Sequence, residues 1–212
     1  MNRDEIHLWR AGLDLDDFAL QSLSGTLSAG EAERAARFLR EIDRRRFTAA
    51  RGILRRLVAD YLDSTPSKIR LAYGEKGKPS LVDGGGLSFN LSHCQGRALY
   101  ALAFNREIGV DLELPRADLD VEGLAGRYFS AAEAARIVAL PKAERANEFY
   151  RLWTAKEAYA KARGLGLSLL GEEPDSVAGF HVEELKLKAG EFSALAYSGE
   201  KAELKFFEFG DR

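Results

Sequence analysis

The sequence predicts an α+β fold built from two similar α/β subdomains, and three observations predict it. Landmarks recur at a constant offset of 102 residues: Ile6 maps to Ile108, Phe47 to Phe149, and Ser28-Ala-Gly-Glu31-Ala-Glu-Arg34 maps without gaps onto Ser130-Ala-Ala-Glu133-Ala-Ala-Arg136. Both seven-residue stretches carry the S-x-x-E signature, in which serine and glutamate satisfy each other's free backbone donors at a helix start. The stretches that flank the helices alternate apolar and polar residues, the period of a strand with two unlike faces. The unit therefore reads strand, capped helix, longer helix and further strands, twice over, with one subdomain over residues 1–104 and the other over 105–212. Two unrelated amphipathic segments sharing a common capping motif are the alternative, and the ungapped register favours duplication.

In the first copy a strand carries Ile6 and His7, Ser28 caps a helix, and residues 44–61 form a basic helix with Arg44, Arg51 and Arg55 on one face. Residues 68–73 read as a strand that ends in the turn Gly74-Glu-Lys-Gly-Lys-Pro79. A glycine-rich stretch over 83–86 leads into an alternating strand over 87–92. Residues 98–104 form a more apolar strand, and Asn105-Arg-Glu is a tight turn into Ile108-Gly-Val-Asp-Leu-Glu-Leu114. In the second copy Ser130 caps a helix, a longer one runs through residues 149–161, and Gly164-Leu-Gly stops it. Strands follow near 179–187, 193–198 and 202–209.

Composition narrows the function classes. Of 212 residues 46% are hydrophobic and 30% charged, with a net charge of −2, which fits a globular chain and excludes both disorder and the basic excess of a generic nucleic-acid binder. The lone Cys94 excludes an internal disulfide framework, and the three histidines are too scattered for a zinc site. The start, Met1-Asn-Arg-Asp-Glu, opens no apolar leader, and no run of about 18 apolar residues is available to cross a bilayer. A soluble, cytoplasmic protein is expected.

The chemistry concentrates on two elements. Lys156 falls in the middle of an apolar helical stripe formed by Phe149, Leu152, Trp153 and Ala160, while Glu157 and Lys161 share the flank of that stripe one turn apart. A buried ammonium either snorkels to water or meets a buried anion. On the strand from Ile108, alternation sends Asp111 and Glu113 out of one face together. Asp111, Glu113 and Glu157 offer the oxygen ligands that Mg²⁺ prefers, and a divalent ion would offset their mutual repulsion. An ordinary solvated Asp-x-Glu face and a simple i,i+4 ion pair from Glu157 to Lys161 stay open beside this reading. Lys76 and Lys78 in a glycine turn, Arg34 and the arginine helix, and His93 after a strand are further groups able to meet phosphate oxygens. There is no nucleophile elbow, Walker loop or dinucleotide fingerprint, so the attacking group is expected to arrive on another molecule.

Taken in order, Gly77-Lys-Pro79, Phe89-Asn-Leu-Ser-His93, Ile108-Gly-Val-Asp-Leu-Glu113, Arg127-Tyr-Phe-Ser-Ala-Ala-Glu133 and the W-x-x-K-E-x-x-x-K core within Phe149 to Lys161, followed by Gly164-Leu-Gly-Leu-Ser168, make a pattern. It resembles the 4′-phosphopantetheinyl transferases, specifically the larger, pseudo-dimeric Sfp-like class. The resemblance implies two similar halves related by a pseudo-two-fold, an active site between them, and transfer of the phosphopantetheine arm of coenzyme A to a serine of an apo acyl or peptidyl carrier protein. It implies Mg²⁺ as cofactor, coenzyme A as co-substrate, adenosine 3′,5′-bisphosphate as product and a monomeric enzyme. Carried over by position, Asp111, Glu113 and Glu157 match the metal ligands, with Glu157 also the general base, and Lys161 matches the group that assists the departing phosphate. Lys78, Asn90, Ser92, His93 and Lys156 match coenzyme A contacts, and Arg34 and Arg51 match basic positions near its 3′-phosphate. Two positions depart from the pattern: Cys94 where serine is frequent, and Glu31 where some relatives carry lysine. A magnesium-dependent phosphohydrolase or nuclease, and a non-catalytic nucleotide- or RNA-binding module, are the competing classes.

Overall fold

The structure is a computed structural model that describes residues 1–164 and 179–210. Its elements run β1 (Glu5–Gly12), α1 (Asp17–Ser24), α2 (Ala29–Ala36), α3 (Glu41–Tyr61), β2 (Leu71–Tyr73), β3 (Pro79–Leu81), β4 (Leu87–Cys94), β5 (Arg97–Phe104), β6 (Ile108–Glu113), α4 (Val121–Tyr128), α5 (Ala131–Ala139), α6 (Lys142–Arg163), β7 (Phe180–Glu184), β8 (Phe192–Ser198) and β9 (Glu203–Glu208). The serines predicted to start helices do so. Ser28 and Ser130 cap α2 and α5, and both capping boxes are closed by Glu31 and Glu133. Gly164 ends α6 in the left-handed conformation, φ 67°, which glycine adopts without steric cost.

The two halves share a topology. In the first, β5 lies between β4 and β1 and is antiparallel to both; in the second, β8 lies between β7 and β6 and is antiparallel to both. Each half thus runs strand, short helix, capped helix, long helix, hairpin. The short helices α1 and α4 are absent from the sequence-based expectation because eight residues are too few to display a helical period; their signals are the capping carboxylates of Asp16 and Asp120. The stretch 68–73 is extended only from Leu71, because Pro66 opens a single 3₁₀ turn through Lys68. The last strand laces the halves together: β9 pairs in parallel with β1, extending the first sheet to β4-β5-β1-β9.

The sheets meet over a shared core. Ile108, Val110 and Leu112 bury one face of β6 against Ile6 and Leu8 of β1, Leu99 of β5 and Leu195 of β8. The opposite face of β6, which carries Asp111 and Glu113, is covered by α6. Gly109 makes that approach possible: a Cβ there would stand 2.1 Å from the Ala158 carbonyl oxygen and 2.3 Å from the Ala162 nitrogen. Among the described residues no helix is long and apolar enough to cross a membrane.

Candidate active site

The site forms where β4 of the first half, β6 of the second and α6 come together. Strand alternation puts Asn90 and Ser92 on one face of β4, and both look toward β6. Asn90 Oδ1 accepts a hydrogen bond of 2.9 Å from the Val110 backbone N–H, so this buried carboxamide ties the halves across the seam. Ser92 donates to Asp111 Oδ1 at 2.9 Å. Lys161, from the flank of α6, donates to the same oxygen at 2.6 Å and to Ser92 Oγ at 3.0 Å. Asp111 is 2% exposed, and its other oxygen, Oδ2, is buried without a hydrogen-bond partner among the described residues. A buried carboxylate oxygen left this way costs free energy unless a donor or a cation reaches it.

Glu113 and Glu157 share this electrostatic neighbourhood. Burial raises the Glu113 carboxyl above its ordinary range, and the charge of Asp111 adds to the effect. Burial also raises Glu157; Lys161 opposes the shift, while Asp111 and Glu113 reinforce it. Cys94 Sγ lies 3.6 Å from Glu113 Oε2, and its thiol is pushed up first by burial. The donor set is what a hard divalent ion takes, all carboxylate oxygen with one oxygen unpartnered. Yet among the described residues no three His, Cys, Asp or Glu side chains stand gathered to hold an ion. The charge gathered on Asp111 in this arrangement is the Lys161 ammonium.

Other groups expected at the site are placed differently. Lys78 donates to the carbonyl oxygens of Ala162 at 2.7 Å and Ile108 at 3.2 Å, clasping the end of α6 to β6; burial lowers its pKa. Lys156 is 1% exposed and pairs with Glu133 Oε1 at 3.0 Å, beneath the Phe129 ring. The buried anion that meets this lysine is therefore the capping glutamate of α5, and its ammonium is not brought to the carboxylates of β6. The first half repeats the device: Arg55 donates from Nε to Glu31 Oε2 at 2.6 Å.

A recess of about 340 Å³ opens in the first half and is lined by Arg34, Phe47, Arg51 and His93 among others. The guanidinium carbons of Arg34 and Arg51 stand 5.3 and 5.8 Å from the centroid of the Phe47 ring. Two like charges sharing one ring create a field that favours an anion. His93 is exposed at the rim, yet surrounding protein lowers its pKa, and the charges of Lys161 and Arg51 lower it further. Lys161 thus links the recess electrostatically to the carboxylates. Arg44 points away and pairs with Glu41.

Comparison with known proteins bears directly on this seam. Residues 107–207 match the family model of the 4′-phosphopantetheinyl transferase superfamily, and residues 16–103 match that of the 4′-phosphopantetheinyl transferase N-terminal region. The chain is 46% identical over 172 residues to the 4′-phosphopantetheinyl transferase HetI of Nostoc sp., covering 80% of this chain and 73% of that protein. The chain belongs to the 4′-phosphopantetheinyl transferase superfamily. It is also similar to 4′-phosphopantetheinyl transferase Sfp of Bacillus subtilis, 32% identical over 143 residues, 68% of this chain and 62% of the relative. With 4′-phosphopantetheinyl transferase AcpT of Salmonella typhimurium it shares 34% over 141 residues, 66% and 70% of the two chains.

Sequence reasoning about this phosphopantetheinyl transferase missed three structural partners of the site. Gly109 sits in the quoted motif, and its lack of a Cβ was the available signal. Glu31 reads as a capping glutamate and as a departure from the family pattern, but its ion pairs with Arg51 and Arg55 had no sequence signal. The clasp of Lys78 onto two carbonyl groups had no sequence signal. Residues 165–168 of the last quoted motif lie outside the described residues.

Proposed function

We propose that this transferase moves the 4′-phosphopantetheine arm of coenzyme A to a serine hydroxyl of an apo carrier protein, releases adenosine 3′,5′-bisphosphate, and depends on magnesium. The observation that carries the reading is the junction at Asp111: one oxygen held by Ser92 and Lys161, the other buried and unpartnered, with two further carboxyl groups, Glu113 and Glu157, whose pKa values are raised first by burial and also by its charge. Asp111, Glu113 and Glu157 are the groups that would hold the ion. When bound, Mg²⁺ supplies the positive charge that lets three carboxylates and a pyrophosphate occupy one place.

The remaining work falls to the chain. Glu157, half-buried and raised in pKa, suits acceptance of the proton that the serine hydroxyl loses as its oxygen attacks the β-phosphorus of coenzyme A. Lys161 is an ammonium already oriented by Ser92 and Asp111, so it stabilises the negative charge that builds on the departing bisphosphate without being reordered during the reaction. Arg34, Arg51 and His93 hold the 3′-phosphate end of coenzyme A in the 340 Å³ recess. Ser92 orients Lys161, and Lys78, Asn90 and Lys156 hold β4, β6, α5 and α6 in place around it. Both sides of the site come from one chain, which therefore acts as a monomer whose halves are residues 1–104 and 105–212. A reducing, cytoplasmic setting suits the single free Cys94.

The test is incubation of the protein with coenzyme A, Mg²⁺ and a panel of apo carriers from fatty-acid, polyketide and non-ribosomal peptide systems. Intact-mass measurement should show one phosphopantetheine added to at least one carrier. Consumption of coenzyme A without any carrier would instead indicate a hydrolase, and neither change would leave a binding module.

A further inference from the structure

We infer that Glu31 is a positioning residue for the coenzyme: through Arg51 it sets the preference of the first-half recess for a ligand bearing a 3′-phosphate. This rests on the proposed role of that recess. Glu31 is 4% exposed, and its two oxygens are used unequally. Oε2 accepts from the Ser28 backbone N–H at 2.9 Å, from Ser28 Oγ at 3.1 Å and from Arg55 Nε at 2.6 Å. Oε1 has no hydrogen-bond partner among the described residues, and Arg51 Nε stands 3.5 Å from it, an ion-pair distance too long for a bond.

Arg51 has the complementary shortage. It is 8% exposed, its guanidinium lies on Phe47 facing the recess, and its Nη1 is buried without a hydrogen-bond partner among the described residues. The other charges that face the recess do not supply that partner. Arg46 is held by both oxygens of Asp14, Asp43 pairs with Arg40, Arg34 is itself a donor, and no hydrogen bond joins His93 to Arg51 Nη1. A buried guanidinium whose Nη1 lacks an acceptor, beside a second guanidinium on the same ring, suits a phosphate, which guanidinium groups take through two parallel N–H donors.

Glu31 makes this arrangement tenable. Its charge draws Arg51 back by the Nε side, while the loose 3.5 Å contact leaves the Nη side for the ligand. A tighter pair would compete with the phosphate. Arg55 is not free to compensate, because the carbonyls of Pro66 and Ile69 fix its Nη1. Removing the charge of Glu31 therefore leaves mutually repelling guanidinium groups of which Arg51 is the less anchored, and it gives way.

Calorimetry with adenosine 3′,5′-bisphosphate and with adenosine 5′-monophosphate as probes reads the preference for the 3′-phosphate as a ratio of affinities. Glu31→Gln keeps the capping box, since glutamine also closes it. It is expected to lower the ratio about tenfold, the size of one charge-assisted contact, and to raise the KM for coenzyme A while kcat is retained. In an Arg51→Ala background the same change should lower the ratio no further. Ser28→Ala, which weakens the cap and keeps the carboxylate, should leave the ratio intact. If Arg51→Ala lowers the ratio and Glu31→Gln does not, or if Ser28→Ala lowers it as much, the role of Glu31 is overturned and the recess stands. Equal affinity of the unaltered protein for both probes, unchanged in Arg51→Ala, overturns both. Should Glu31→Gln fail to fold, Glu31→Asp, which withdraws the charge by one methylene, is measured instead; an unchanged ratio overturns the inference, and a reduced one supports it.

Discussion

Replacing Gly109 by alanine tests whether the contact of α6 with β6 sets the chemistry. The added Cβ would meet the Ala158 carbonyl oxygen at 2.1 Å, the Ala162 nitrogen at 2.3 Å and the Ala162 Cα at 2.9 Å. All three are backbone atoms, so no side chain can swing aside, and α6 has to retreat by about 1 Å to restore ordinary contact in a close-packed interior. Overpacking of this kind costs about 1–3 kcal/mol. The upper end applies, because the helix backbone itself must move. For a chain of this size that lowers the melting temperature by about 6–12 °C. The same movement draws Glu157 and Lys161 away from Asp111, and a displacement of about 1 Å costs about 100-fold in rate. Thermal unfolding followed by circular dichroism and single-turnover carrier loading followed by intact mass read the two effects separately. A variant that melts lower but loads carrier at the original rate would refute the claim that this notch positions the reacting groups.

Glu157→Gln is expected to abolish carrier loading. In metal-free protein it should melt at or above the temperature of the unaltered chain, because burial already opposes ionisation of this carboxyl. A raised folded-state pKa means that the native protein holds the proton longer than the unfolded chain, so the penalty is present at neutral pH and fades as pH falls toward the ordinary carboxylate range. The melting advantage of the variant should therefore shrink on acidification, and an advantage that grows instead would contradict the assignment. Lys156→Met leaves Glu133 buried without its cation and should cost about 3–5 kcal/mol in urea unfolding. Adding Glu133→Gln, which preserves the cap of α5, should recover most of that loss; a double variant as unstable as the single one would show that the pair is not what holds the helices together.

The parts of the site that the sequence displayed are those governed by local period. Alternation along β6 put Asp111 and Glu113 on one face, and helical spacing put Glu157 and Lys161 on one flank of α6; the structure turns those two surfaces toward each other. The same arithmetic marked Lys156 as buried but was blind to its partner. Glu133 lies 23 residues away on another helix, and only the packing of α5 against α6 brings the two together. Lys78 likewise looked like a free turn lysine until the end of α6 came within reach.

By itself the amino-acid order determined the two capped helix starts, the shared face of Asp111 and Glu113, the shared flank of Glu157 and Lys161 and, through five motifs in series, the resemblance to a transferase family. Only the tertiary structure decided which cation meets which carboxylate: Lys161 with Asp111, Lys156 with Glu133, Arg51 and Arg55 with Glu31. The division has a physical cause. Backbone geometry repeats every two or about 3.6 residues and can be read along the chain, whereas ion pairing depends on how surfaces from distant segments close-pack and exclude water.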